Sequence, residues 1–385
     1  MKRIYMDHSA TTPVDTLVVD AMLPYFSEMF GNSSSLHSFG MEAAEALSTA
    51  RKQVADAIGA LPEEIIFTSG GTESDNLAIR GVITHNSGKK HVITSVIEHP
   101  AVLNTCAFLE SLGHEVTYVP VDAEGLIVLS LLERSIRENT VLISVMHANN
   151  EVGTIQPIKE IAQIAKKHNI YFHTDAVQSV GKIPVNVDDL GIDMLSLSSH
   201  KIHGPKGVGV LYVRKGTIIE PIVFGGNHEK GMRSGTENIP GIVGLGKAMV
   251  LAQQRLDTDS KYMQQMRDGI ISKIFCSVAD VRLNGHPTQR LPNNVNLSFK
   301  YVEGESMLML LDMKGIAVST GSACSSKSLK ASHVLSSLNI EDDYIHGSLR
   351  ISLGRENTIE DEDYLVESLK ETVFRLRMMS PLSSQ

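Results

Sequence analysis

Cysteine is scarce in this chain. Its 385 residues include three, Cys106, Cys276 and Cys324, widely separated and with no CxxC spacing. An odd, sparse set excludes a disulfide framework and a cysteine-rich zinc site, and it fits a reducing compartment. Basic residues are in short supply as well. The net charge of −9 argues against a nucleic-acid-binding surface. No run of 18 apolar residues occurs, so no membrane-spanning helix is expected. The opening MKRIYMDHSATTP lacks the apolar segment of a signal peptide. The expected location is therefore cytoplasmic.

Apolar residues make up 42 % of the chain, enough for a sizeable core and, at this length, for two domains. Apolar bursts of strand length alternate with amphipathic stretches of helix length. EIIFTS precedes TESDNLAIRGVITH, and HVITSV precedes HPAVLNTCAFLESL. EVTYVPV, VLISVM, IYFHTD and MLSLSS follow, with KEIAQIAKKH between the second and third of these. Continuous Val- and Ile-rich runs predict strands buried on both faces. Their alternation with helices predicts an α/β fold with a mostly parallel central sheet. After about residue 250 the pattern changes to a long polar helix, the short strands NNVNLSF, GIAVST and LRISL, and a last helix EDEDYLVESLKETVFRLRMM. This predicts a smaller α+β domain. The expected partition is 15–255 for the large domain, with 1–14 and 256–385 forming the small one.

Cys106 and Cys276 lie in helix-like stretches, TCAFLESL and ISKIFCSV, and read as small buried hydrophobes. Cys324 does not. Its surroundings, STGSACSSKSLKAS over 319–332, are too polar and too small in their side chains to pack well.

Ligands of an open parallel sheet gather beyond the carboxyl ends of its strands, so the residues after each apolar run carry the functional reading. After IIFTS comes GGTESDN, residues 70–76. Glycines leading into Thr72 and a helix start form either an anion site or an ordinary strand–helix turn. The spacing is neither that of a P-loop nor GxGxxG. After VITSVIE, Pro100 suits a first helical turn and puts His99 at or beside the N-cap. There the helix dipole disfavours protonation, and a neutral imidazole can stack on a flat ligand, shuttle protons or simply cap. In HANNEVG, Asn149 and Asn150 suit a ring hydroxyl, a carboxylate or a turn. Asp175 follows the apolar IYFHT, with Gln178 three residues on. A carboxylate so placed needs a partner, whether a pyridinium N–H, a cation or a helix end. Past MLSLS lie Ser199, His200 and Lys201. A lysine there is either desolvated and nucleophilic or an ordinary surface lysine, with Lys206 of the Gly-Pro-Lys-Gly turn as its rival. Together these groups supply a phosphate cradle, a stacking imidazole, a carboxylate and a Schiff-base lysine, the set that pyridoxal phosphate requires.

The chain resembles the group I cysteine desulfurases, the NifS/IscS-like branch of the class V pyridoxal-phosphate enzymes. The resemblance runs from MDHSATTP to LRISLGR and rests on GGTESDN, EHPAV, HANNEVGTIQPI, TDAVQSVGK, SSHKIHGPKG, RSGTEN and GSACSSKSL in order. It implies fold type I and a homodimer. It implies that Lys201 carries pyridoxal 5'-phosphate as a Schiff base. His99 stacks on the ring and moves protons, Asp175 pairs with the ring nitrogen, and Gln178 and Asn150 sit by the ring oxygen. Gly71, Thr72, Ser198 and His200 bind the phosphate, and Thr236 reaches the phosphate of the neighbouring subunit. Arg350, assisted by Asn32, grips the substrate carboxylate. Cys324, on a mobile loop of about 319–332, is the nucleophile that takes sulfur from L-cysteine as a persulfide and leaves L-alanine. The resemblance further implies sulfur supply to an IscU-type iron–sulfur scaffold, with no resident metal and with Cys324 able to ligate a cluster in that complex. The same lysine and cofactor would serve a selenocysteine lyase or a class V aminotransferase, although the latter has no use for Cys324. An idle assembly partner would have no need to keep Lys201 and Cys324. Two departures stand out: Ser33 and Ala331 occupy positions where relatives carry proline.

Overall fold

The computed structural model describes residues 2–320 and 332–380. Cys324 and Ala331 lie outside the described residues. A short β1 (Ile4–Tyr5) opens the chain. The central sheet is built from β2 (Ile65–Thr68), β3 (His91–Ser95), β4 (Glu115–Val119), β5 (Thr140–Ser144), β6 (Tyr171–Asp175), β7 (Met194–Ser198) and β8 (Gly209–Val213). Its strand order is β2-β8-β7-β6-β5-β3-β4. β8 runs antiparallel to both its neighbours, and the other pairings are parallel.

Burial follows the sequence logic. Every residue of β2, β3 and β7 is buried, as expected for strands with helices on both faces. The edge strand β4, EVTYV, is half-buried except at Val119, and its Thr and Tyr residues suit that environment. Helices Ser38–Ile58, Gly71–His85, Pro100–Ser111 and Ile158–Lys167 flank the sheet. The last has the sharpest two-faced pattern, with Ile158, Ile161, Ala162 and Ala165 buried and lysines in its last turn, where they complement the helix dipole.

The rest of the chain forms β9 (Val281–Leu283), β10 (Asn294–Phe299), β11 (Ile316–Ala317) and β12 (Ser348–Ser352). β10 sits between β12 and β9, antiparallel to both, while β1 pairs parallel with β11. The N-terminal strand thus joins the C-terminal half. A second apolar core unites Ile4 and Met6 with Leu297, Phe299, Leu349, Ile351 and Leu369. β9 was not anticipated from the sequence, since three residues carry too little periodicity to read.

Helix Ile239–Ser277 belongs to both cores. Ile242, Leu245 and Met249 pack into the large one, and Met266, Ile270 and Ile274 into the small one. The boundary expected at residue 255 falls inside this helix. Val334, Leu335, Leu338 and Ile345, expected with the small domain, pack into the large core. Cys106 is buried as expected, and burial pushes its thiol up to about 12. Cys276 corrects the reading: it is exposed, because the helix turns its Ile270 and Ile274 face inward and leaves Cys276 on the outer face. No described helix is long and apolar enough to cross a membrane.

Phe172 is fully buried at the centre of the sheet. Phe172→Ala is expected to destabilise the large core by about 3–5 kcal/mol. A thermal melt should show a clearly lowered midpoint; an unchanged one would mean the site is not packed as described.

Candidate active site

A cavity of about 580 Å³ opens at the carboxyl ends of β6 and β7. Among the residues lining it are Gly71, Thr72, His99, Asn150, Asp175, Gln178, Ser198, His200, Lys201 and Arg350. Ten of the twelve described site candidates therefore share one space. The other two, Asn32 and Thr236, are exposed and do not line it. Asn32 Oδ1 accepts the Ser34 N–H at 2.9 Å. The neighbouring Ser33 Oγ donates to Glu237 Oε2 at 2.8 Å, so the Asn32 and Thr236 loops are tied together on the surface. Lys206 is also exposed and does not line the cavity.

One rim of the cavity is the start of helix Gly71–His85. Its N-cap, Gly70, has φ +153 and no side chain to close the helix end. Gly71 has a steric reason as well, since a Cβ there would lie 2.7 Å from Val177 Cγ2. Uncapped first-turn N–H groups with a Thr hydroxyl and Ser198 nearby form a donor set suited to a phosphate. Glu73 braces the turn by accepting Ser69 N–H at 2.9 Å and pairing with Arg233 Nε at 2.9 Å. That pair also anchors the RSGTEN segment on this helix.

His99 caps helix Pro100–Ser111, its Nδ1 accepting the Ala101 N–H at 3.1 Å. The neutral ring therefore carries its proton on Nε2. Its pKa lies below the ordinary histidine value, chiefly through burial, with Asp175 opposing and Lys201 and His333 reinforcing the shift. Burial acts in the same direction as the dipole effect expected from the sequence. Asp175, the last residue of β6, accepts Val177 N–H at 2.9 Å, and burial raises its pKa against the pull of His99 and Lys201. A buried carboxylate of this kind is strongly favoured by a cationic partner in the cavity. Lys201 donates from Nζ to the carbonyls of Ser9 at 2.5 Å and Ala10 at 2.7 Å. His200 Nδ1 meets Thr11 Oγ1 at 3.1 Å, and burial lowers its pKa to about 4. Arg350 is almost fully buried, paired with Asp7 Oδ1 at 2.8 Å and with the Asn150 carbonyl at 3.2 Å, while its Nε has no partner. An arginine with an uncommitted N–H facing a cavity suits a carboxylate. Asn149, by contrast, is structural: its amide donates to Ile97 O and accepts from the N–H groups of Glu151 and Val152.

Sequence reasoning overlooked several lining groups. Asp75 lies one helical turn beyond Gly71 and faces the same cavity; burial and Asp175 hold its pKa well above the ordinary value. Glu151 also lines the cavity, and its Oε2 accepts Ser332 Oγ at 2.5 Å. His333 meets the Glu98 carbonyl at 3.0 Å. Asp75 and Glu151 sit inside GGTESDN and HANNEVG, and an i+4 helical offset from Gly71 was the available signal for the first. Ser332 and His333 carry no such signal.

The residues present thus fit pyridoxal phosphate: an uncapped helix start with hydroxyl donors, a buried carboxylate, an imidazole and an amine share one cavity. The aminotransferase class-V family matches residues 4–365, and the chain belongs to that family. Within it the chain falls in the NifS/IscS-like branch, whose members depend on pyridoxal phosphate. It is 56 % identical over 383 residues to a cysteine desulfurase IscS of Methanosarcina thermophila, covering 99 % of this chain and 95 % of the relative. A solved NifS-like protein superposes with a TM-score of 0.92 at 40 % identity, covering 97 % of this chain and 100 % of that one. A structure of SspA in complex with cysteine superposes at 0.82 and 40 % identity, covering 93 % and 100 %.

Burial raises the Glu151 pKa from 4.5 to about 7, so the neutral carboxyl is the form the fold favours. Its stabilising contribution is complete below the unfolded value and is lost as pH rises through about 7. The thermal midpoint should fall as pH rises from about 4.5 to about 7, and Glu151→Gln should flatten that fall. Equal slopes in the two proteins would assign the dependence elsewhere.

Proposed function

We propose that the chain converts L-cysteine to L-alanine and takes up the released sulfur as a persulfide on Cys324, supplying it for iron–sulfur cluster assembly. It is a pyridoxal-phosphate-dependent cysteine desulfurase. The observation that carries this reading is the convergence of Lys201, His99, Asp175 and an uncapped helix start on one cavity, in a chain 56 % identical to a cysteine desulfurase. Lys201 would hold the cofactor, which would supply an electron sink for the substrate Cα.

The chain's own groups then divide the work. Gly71, Thr72, Ser198 and His200 would hold the phosphate, and Asp175 would keep the ring nitrogen protonated. Gln178 and Asn150 donate toward the ring oxygen. Arg350 binds the substrate carboxylate in competition with its bond to Asp7. The Lys201 amine, once freed by the incoming substrate amine, would take and return the Cα proton, and His99 would stack on the ring and exchange protons at Nε2. The Cys324 thiolate attacks the substrate sulfur, so that an S–S bond forms as the C–S bond breaks and the electron pair stays with the carbon fragment that becomes alanine.

The exposed Asn32 and Thr236 are explained by a homodimer in which Thr236 serves the neighbouring subunit's phosphate and Asn32 acts beside it. The linked Ser33–Glu237 loops support that reading. We assign residues 15–255 to the cofactor-binding domain and 1–14 with 256–385 to the small domain. The shared helix Ile239–Ser277 and the docking of Val334–Ile345 on the large core tie the two firmly. A cytoplasmic location and an IscU-type scaffold as sulfur acceptor complete the proposal, with Cys324 free to ligate a cluster in that complex.

Purified protein should be yellow, and Lys201→Ala should abolish the colour. Cys324→Ser should keep the colour while sulfide release from L-cysteine falls to background. Mass spectrometry after incubation with L-cysteine should find one added sulfur on the Cys324 peptide. Wild-type turnover by Cys324→Ser would reject the persulfide route.

A further inference from the structure

Lys182 is a buried cation without a function in the scheme above. It is 6 % exposed, and among the described residues no carboxylate lies within ion-pairing distance of it. Its backbone follows Gly181, whose φ of +74 turns the chain so that the lysine points inward behind the active site. Lys182 Nζ donates to the Gln178 carbonyl at 3.1 Å and to the Gln178 side-chain Oε1 at 3.3 Å. The other end of that amide, Nε2, donates to the Ser9 carbonyl at 3.0 Å, and Lys201 Nζ donates to the same carbonyl. A continuous hydrogen-bonded chain therefore runs from Lys182 through Gln178 and Ser9 to Lys201.

We propose that Lys182 is a positioning residue that fixes the orientation of the Gln178 amide and so decides which end of it faces the active-site cavity. The reading rests on the assignment of Gln178 to the ring oxygen. The two ends of a carboxamide are nearly identical in shape, and only their partners tell them apart. In its charged form Lys182 has donors and no acceptor, so it tolerates only Oε1 as its neighbour. A flipped amide would set –NH₂ against –NH₃⁺ and Oε1 against the Ser9 carbonyl, leaving buried groups mismatched at both ends. With Lys182 present, the cavity is offered Nε2, a donor suited to an anionic oxygen. Without it, Oε1 is free to turn inward and would repel that oxygen.

The surroundings make the arrangement testable. Behind Lys201 a second cavity of about 40 Å³ is lined by Lys182, His8, His203, Asp15, Asp259, Arg355 and Lys201 itself. His8 Nδ1 and Asn293 Oδ1, on residues that line it, have no hydrogen-bond partner among the described residues. A polar space of this size holds water, so a truncated Lys182 side chain is replaced by solvent instead of a void. Burial and the charge of Lys201 lower the Lys182 pKa to about 7, so its own protonation contributes to any titration seen nearby. His99 and Asp175 face Lys201 from the opposite side.

The test is a spectral pH titration of the Lys201-bound chromophore in the holoenzyme. Lys182→Met should move the titration midpoint in the same direction as Gln178→Met, by at least half of that shift. The double variant should move no further than Gln178→Met alone. Lys182→Arg, which keeps a donating cation, should titrate like the wild type. Where the methionine variant does not accumulate, Lys182→Ala is read in the same way. A wild-type titration in Lys182→Met, or a double variant whose shift is the sum of the two singles, overturns the proposal. A colourless wild-type protein would instead reject the cofactor assignment on which it stands.

Discussion

The site depends on the hold of two main-chain carbonyls, those of Ser9 and Ala10, on the amine of Lys201. They belong to the chain's first segment, which is fixed to the small core through β1 and through the bond of Ser9 N–H to Ser352 Oγ. The lysine itself follows β7 of the large sheet. The contact therefore joins the two halves at the place where chemistry occurs. A backbone carbonyl accepts a proton donor without becoming charged, so it positions the amine without pairing it permanently, as a carboxylate would. Asp7, next to this segment, instead holds Arg350 by an ion pair through its carboxylate. Both cationic groups of the site are thus set by one N-terminal strand and the turn after it.

Around that contact lies a dense set of buried ionisable groups. Asp75, Glu98, Asp175 and Glu151 all have raised pKa values, and burial is the first cause in each. His99, His147, His173 and His200 have lowered ones for the same reason. A fold that sought only stability would fill these positions with apolar side chains. The retained polarity identifies where work is done. It also explains why the strands around the site are so uniformly apolar: the stability lost at their carboxyl ends is offset by packing along their lengths.

Much of this could be read from the residues. The buried runs fixed the strands, and the groups just past them marked the cavity, because a parallel sheet lines up its strand ends and helix starts on one side. Lys201, His99 and Asp175 were legible because each lies within a few residues of the end of an apolar run, and Gln178 because it follows Asp175 by three. Ser9 and Ala10 were not, since they act through the backbone and carry no chemical signature. Ser332 and His333 were hidden because only tertiary packing returns them to Glu151 and Glu98. Cys276 was misjudged because helical periodicity fixes which residues share a face, not which face turns inward at a helix end. That Val334–Ile345 dock on the large core was not legible because chain order does not say where a short helix packs.

Helix Ile239–Ser277 carries a consequence for motion. It is a continuous rod of 39 residues whose two ends are cemented into different cores. Swinging one half of the molecule away from the other would require breaking backbone bonds in mid-rod. The rod thus couples the attitude of one half to that of the other, like blocks on a common axle.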